Sequence, residues 1–339
     1  MRASAVVLIV ITLAALIAAP AASQQIWQEQ RITNTTWPEG QPRIWGDTIY
    51  YGDGRNGYGE IYAWDQAQGA RLLLGGDGIS RGVLAVYQDK LVTYRYVNGQ
   101  YDLYTWDPVN GEVPLCTAPG NQTNARIYGD TIVWEDRRAG AARIYAWDPV
   151  NGERQLFPTS GGQMNPRIWG DRIIWYDDGN YGSYPGGIYT WTPQEGAIRI
   201  GDGDSAAVYQ DRVVIWWSAW TEQRPHNEPL HHPGYLYEWT PAMGLRMLAQ
   251  HSYDETFNVE TWGDLVIYGN SRVGAWDPVR GFSPIVNNSV TSLSVYGNKV
   301  AWASGGDIYL STLVPEPSSM LALIGGMGVL GTMLRRRKQ

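Results

Sequence analysis

The chain has 339 residues and a formal net charge of −7, with 17 Trp and 22 Tyr against 3 Phe, and 40 Gly and 19 Pro. The length allows one large or two ordinary domains, and the acidic balance argues against nucleic acid or anionic lipid as a partner. The single cysteine, Cys116, rules out an internally disulfide-stapled scaffold and reads as a buried, inert thiol.

The first segment, MRASAVVLIVITLAALIAAPAASQQ, has one arginine, an apolar stretch from Val6 to Ala18 and then small residues. This is the build of a secretory signal peptide with cleavage after Ser23. A retained anchor is the alternative, but the apolar run falls short of the ~20 residues a bilayer needs.

From there one unit recurs. IWGDTIYY (44–51), IYGDTIVW (127–134) and IWGDRIIW (168–175) are near copies, and VYQDKLVTY from Val86, VYQDRVVIW from Val208, TWGDLVIYG from Thr261 and VYGNKVAW from Val295 are more distant ones. The acidic or amide residue of the turn falls at Asp47, Asp89, Asp130, Asp171, Asp211, Asp264 and Asn298, so most steps lie between 40 and 42 residues. A period near 40 with strand-like content indicates propeller blades rather than a helical solenoid.

The third copy is the clearest. ARIY forms a first strand, Gly129-Asp130 a two-residue turn of type II′, and TIVWE a second strand. ARIYAW forms a third and ERQLF a fourth, joined by Pro149-Val150-Asn151-Gly152. Runs such as TIVW, RIIW and RVVIWW are apolar without alternation, which suits sheets covered on both faces. Outer turns of the DPVNG kind recur at 107–111 and 148–152, with looser forms at 65–69, 192–196, 240–244 and 277–281. Gln88 and Gln210 replace the inner-turn glycine, and a different turn type is predicted there.

The fifth unit departs from the rest. Its loop between strands two and three grows to WWSAWTEQRPHNEPLHHPG (216–234), holding three of the four histidines. Trp217, Trp220, His226, His231, His232 and Tyr235 are the candidate ligand-binding residues: flat rings for stacking on sugar, with polar neighbours to orient it. Trp216 is read instead as strand core, aligned with Trp134 and Trp175. Neutral imidazoles near Glu222 and Glu228 suit a transition metal in principle, but the His spacing matches no standard ligand set, and no metal is assigned. Asp177, Asp178 and Asn180 read as a solvated turn rather than a calcium loop. Asp136-Arg137-Arg138 reads as a local charge pair.

The seventh unit supplies three strands only. IWQEQRITNTT, before the first unit, matches a fourth strand, so residues 28–33 are predicted to complete the last sheet and remove its free edge.

The end of the chain, VPEPSSMLALIGGMGVLGTMLRRRKQ, has Pro315, Glu316 and Pro317, an apolar run from Met320 to Leu334, then Arg335, Arg336, Arg337 and Lys338. Basic residues after an apolar stretch stay in the cytoplasm, so the body lies outside. An ordinary tail anchor is the alternative. The tripartite end resembles the PEP-CTERM sorting signal. The resemblance implies parking in the inner membrane, recognition by the membrane enzyme exosortase and cleavage near Pro-Glu-Pro. Removing Arg2, Glu316 and the four terminal cations takes the formal charge from −7 to −11.

The repeat resembles TolB-like propeller repeats over nearly all of residues 26–313, with the closest matching stretches at 129–147, 46–64 and 170–191. The resemblance implies an all-β fold: a seven-bladed β-propeller of four-stranded antiparallel blades, the last closed by the N-terminal strand. A short hydrophobic helix is expected at each terminus. The expected divisions are 1–23 signal peptide, 24–313 propeller and 314–339 sorting segment. No nucleophile elbow, HExxH or phosphate loop is present, so no catalytic residue and no cofactor are assigned. The expected role is a non-enzymatic exported surface or matrix protein binding exopolysaccharide or a surface protein. A polysaccharide lyase or hydrolase working near the blade-five histidines is the alternative.

Overall fold

A computed structural model describes residues 26–157, 161–179, 186–218, 234–251, 258–269, 273–278, 281–286 and 288–314. The signal peptide, the sorting segment, the helix expected at each terminus and Asn180 lie outside the described residues. So do Trp220, His226, His231 and His232.

Seven four-stranded antiparallel sheets form the molecule. In six, the strands run in chain order from inner to outer; in the seventh the order is residues 292–296, 299–304 and 307–314, then the N-terminal strand. Blade three shows the unit: Gln122–Tyr128, Thr131–Asp136, Arg143–Asp148 and Gly152–Gln155. The second strands are covered on both faces, as their unbroken apolar runs require: the five residues 132–136 in blade three and 265–269 in blade six are all buried.

That cover comes from the neighbouring blades. Each apolar cluster joins residues of two adjacent sheets; Leu103 and Cys116 of blade two, for example, pack with Ile127, Ile132 and Trp134 of blade three. Seven such clusters occur, one per junction, and the one between blades seven and one unites Ile44, Ile49 and Tyr51 with Ala301, Ala303 and Ile308. The ring is therefore closed.

Closure uses Ile26–Arg31 in register with 309–314, from Ile26↔Val314 to Arg31↔Tyr309. The strand begins and ends two residues earlier than predicted. Ile32 N donates to Ile308 O at 2.8 Å, and Thr33 Oγ accepts from Ile308 N at 2.8 Å, so the chain turns inward just beyond Arg31.

The glycine of the inner turn has φ of 57–61° in the five blades that carry it. Its successor keeps negative φ, as type II′ requires. Gln88 and Gln210 correct the sequence reading: both hold φ 54°, so the same turn persists with a side chain forced into left-handed backbone. The turn's acidic residue has a second duty. A cation just after the turn of one blade reaches the turn carboxylate of the next: Lys90 to Asp130, Arg172 to Asp211, and Lys299 to Asp47 across the closing junction. These carboxylates are exposed, so each pair is worth about 0–1 kcal/mol.

Trp216 also departs from the sequence alignment. Counting from the turn, Ile215 takes the place of Trp134. Trp216 is one residue further, pairs with Leu236 and points to the opposite face. It is still fully buried, stacked on Tyr268 of blade six at 5.8 Å.

Candidate functional site

The inner strands all run from the loop-bearing face, where strand-two-to-three loops and blade connections lie, to the hairpin face. Each ends in an aromatic residue just before its turn. Trp45, Tyr87, Tyr128, Trp169, Tyr209, Trp262 and Tyr296 consequently meet around the axis, with neighbouring ring centroids 4.2–5.4 Å apart the whole way round. Trp262 also lies edge-on to Trp169 at 5.2 Å and to Trp45 at 6.0 Å, across the middle of the collar. Tilted and edge-to-face pairs of this kind are favourable for quadrupolar rings. The collar narrows the channel at the hairpin face.

Two residues before the collar, the inner strands of blades one, three and four carry Arg43, Arg126 and Arg167. Each follows a bulge whose left-handed residue is Gln41, Asn124 or Asn165 (φ 53–54°), where the ladder slips register. A bulge re-aims the side chains after it. Pro42 and Pro166 fit here because the bulged position has no ladder bond to donate. Blade two slips between Val83 and Ala85, and there the Leu84 carbonyl accepts from Arg43 Nε at 2.6 Å and from Arg126 at 3.4 Å. Further guanidinium bonds go to the Pro42, Ala125 and Pro166 carbonyls at 2.9, 2.8 and 3.4 Å.

Glu260 is the carboxylate beside them, 3.8 Å from Arg167 and beyond hydrogen-bond length. The three arginines, Glu260 and five of the collar residues (Trp45, Tyr87, Tyr128, Trp169 and Trp262) line a chamber of about 130 Å³. Burial, offset partly by Glu260 and aided by Arg167, lowers Arg43 to about 10. Burial and then repulsion from Arg167 and Arg43 hold Arg126 well below an ordinary guanidinium. Arg167 also lines a wider cavity of about 380 Å³ together with Asn165, Asp204, Ser205, Asn258 and Thr291. Asn124 donates to Asn165 at 3.2 Å and to Glu135 at 3.0 Å, fixing the rim between blades three and four.

Of the predicted ligand-binding residues, Trp217 and Tyr235 are brought together. They pair across the second and third strands of blade five, with rings 5.6 Å apart at 29°, and Tyr237 extends the group at 6.1 Å from Tyr235. All three are half-buried. Cys116 is buried beside Asp136, with Arg138 donating to its Sγ at 3.2 Å, and burial pushes the thiol up to about 12. Arg137 pairs with Glu135, and Arg138 with Asp136 and Glu153, as local charge pairs. Asp177 accepts from Gly179 N at 2.9 Å and Asp178 from Gly162 N at 2.5 Å. Among the described residues no group of three or more His, Cys, Asp or Glu is gathered for a metal ion.

Sequence reasoning missed the channel arginines. Their signal was an arginine between apolar residues at the same place in three copies, PRIWGD, ARIYGD and PRIWGD.

A collar-ended channel in a closed ring of seven four-stranded sheets defines a seven-bladed β-propeller. Residues 313–338 match the family described as the PEP-CTERM protein-sorting motif. That motif implies an exported protein, anchored transiently in the membrane and processed by exosortase. No curated protein matches it in sequence. Among solved structures it is similar to an oligogalacturonate lyase in complex with manganese (14% identity, TM-score 0.59, covering 87% of this chain and 96% of that one). It is also similar to the β-propeller domain of the Trilobed protease from Pyrococcus furiosus, described as having an open velcro topology (12%, TM-score 0.58, 83% and 96%). TolB from Acinetobacter baumannii is 18% identical over 66% of this chain (TM-score 0.48), which spans 57% of that protein's length. At these identities the likeness is one of fold, and propellers host many activities.

Proposed function

We propose that this chain is a cell-surface or extracellular-matrix protein that binds polysaccharide through the loop-bearing face of its propeller. A signal peptide ending at Ser23 and a sorting segment from residue 314 flank the working part, residues 24–313. One observation carries the ligand class: the Trp217–Tyr235–Tyr237 group at the root of the blade-five loop. Half-buried rings held side by side on a rigid strand pair offer the flat apolar surface on which a sugar ring stacks. Trp220, His226, His231 and His232 of the adjoining sequence, outside the described residues, are included in this proposal as polar and aromatic groups that would orient hydroxyls.

The experiment is a glycan array probed with residues 24–313, alongside Trp217→Ala. Binding to a set of polysaccharides that weakens at least tenfold in the variant supports the reading. Silence across the array favours a protein partner or a structural coat. Incubating acidic polysaccharide with the protein and divalent metal tests the enzyme alternative: shortened products that vanish when His226, His231 and His232 are all replaced would establish a lyase or hydrolase instead.

A further inference from the structure

We propose that the central channel is an anion-binding site in which Arg43, Arg126 and Arg167 receive a single oxyanion group, a carboxylate or a phosphate, entering from the loop-bearing face. The proposal stands on residues other than the blade-five stack and does not depend on it.

The first support is the charge balance. Three guanidinium groups face one carboxylate in a narrow channel, inside a protein whose overall charge is negative. Elsewhere arginines such as Arg138, Arg212 and Arg246 meet carboxylates directly. Arg138 grips Asp136 with two nitrogens at 2.9 and 2.7 Å, and Arg212 and Arg246 share Glu238 at 2.8 and 2.7 Å. In the channel the nearest such contact is 3.8 Å. Like charges held together without partners are costly, and a protein keeps them where something else supplies the counter-charge.

The second support is unused hydrogen-bonding capacity. Each guanidinium has five N–H donors in a planar fork. The backbone carbonyls of residues 42, 84, 125 and 166 take only some of them. Arg167 Nε is buried with no partner at all. An oxyanion is the group that matches such forks, accepting paired bonds from arginine in a way water or a neutral hydroxyl does not.

Shape gives the direction and the size. The aromatic collar narrows the hairpin face, and the wider cavity shares Arg167 with the chamber on the side away from the collar. A 130 Å³ chamber suits one charged group rather than a sugar chain, while the 380 Å³ cavity above it can seat what that group is attached to. Converging positive charge at the chamber focuses the field there and draws anions in, past Asp204, the carboxylate that lines the wider cavity.

The test is calorimetric titration of the full chain, in mild detergent at fixed ionic strength, with inorganic phosphate, glucuronate and, as the uncharged control, glucose. Wild type should bind phosphate or glucuronate saturably and glucose not at all. Arg126→Gln should weaken the charged ligands at least tenfold while leaving the thermal midpoint in chloride buffer equal or higher, because it relieves repulsion. Arg167→Lys keeps the charge but loses the fork, and should fall between the two. Tighter glucuronate than phosphate assigns the site to acidic sugar, and the reverse order to a free or esterified phosphate. No saturable binding by wild type, unchanged affinity in both variants, or an Arg126→Gln protein that is markedly less stable in chloride would overturn the proposal, the last by making the arginine a structural prop.

Discussion

Arg31 donates to the Asp307 carboxylate at 2.5 Å although 276 residues separate them. This pair ends the ladder by which the first described strand completes the last blade. Arg31 is half exposed, so breaking the pair alone, as in Asp307→Asn, should cost about 0–1 kcal/mol. Deleting residues 26–31 is a different matter. It exposes the edge of the 307–314 strand, and unpaired edges recruit other chains. We expect a thermal midpoint lower by at least several degrees and self-association on size-exclusion chromatography; a monomer of unchanged midpoint would show that the closing strand is dispensable.

Gln88 and Gln210 occupy left-handed backbone that glycine adopts freely in the other five inner turns. A non-glycine residue there costs about 1–2 kcal/mol, and glycine gives back roughly 0.5–1 kcal/mol in unfolded-chain entropy. Gln88→Gly and Gln210→Gly should each raise stability by about 0.5–1 kcal/mol in urea unfolding, additively because they lie in separate blades.

Gly234 sits under Trp216, and a Cβ there would lie 2.0 Å from the indole ring. The ring is fully buried and stacked on Tyr268. Gly234→Ala should cost about 3 kcal/mol or more, at the upper end for overpacking. Near-ultraviolet circular dichroism should report the displaced tryptophan.

Glu39 pairs across the ladder with Asp53, where blades three and four place Gln122 and Gln163 opposite Asp136 and Asp177. Burial raises its carboxyl above the ordinary value. Hydrogen bonds from Thr35 and Thr33 oppose that shift, and the charges of Asp53 and Asp307 add to it. Because the folded value lies above the unfolded one, ionised Glu39 destabilises the fold at neutral pH. The penalty disappears as pH falls below the unfolded value near 4.5. Glu39→Gln should therefore be more stable than wild type at pH 7, by on the order of 1 kcal/mol, and the advantage should shrink toward pH 4. Thermal midpoints across that range check both sign and window.

The architecture was legible because its determinants are local. A Gly-Asp turn, a DPVNG turn and an apolar strand each state their geometry within a few residues, and their recurrence near every 40 residues counts the blades. Gln88 and Gln210 misled because the ring's packing imposes a turn their side chains disfavour. Trp216 was misaligned by one residue since an unbroken apolar run hides which face each side chain takes. The arginine cluster escaped notice for a geometric reason. Arg43, Arg126 and Arg167 are far apart in sequence and converge only because the ring brings the inner strands of blades one, three and four to one axis, with bulges turning them inward.

The loop-bearing face of this propeller is proposed as its binding surface, with the blade-five rings as the platform. The most direct measurement is the affinity of residues 24–313 for exopolysaccharide purified from the producing bacterium, compared with the Trp217→Ala/Tyr235→Ala double variant by surface plasmon resonance. Saturable binding is predicted that weakens about fivefold or more in the double variant while its unfolding remains cooperative, since losing stacking on two rings removes about 1–3 kcal/mol. Equal binding by both proteins would contradict it.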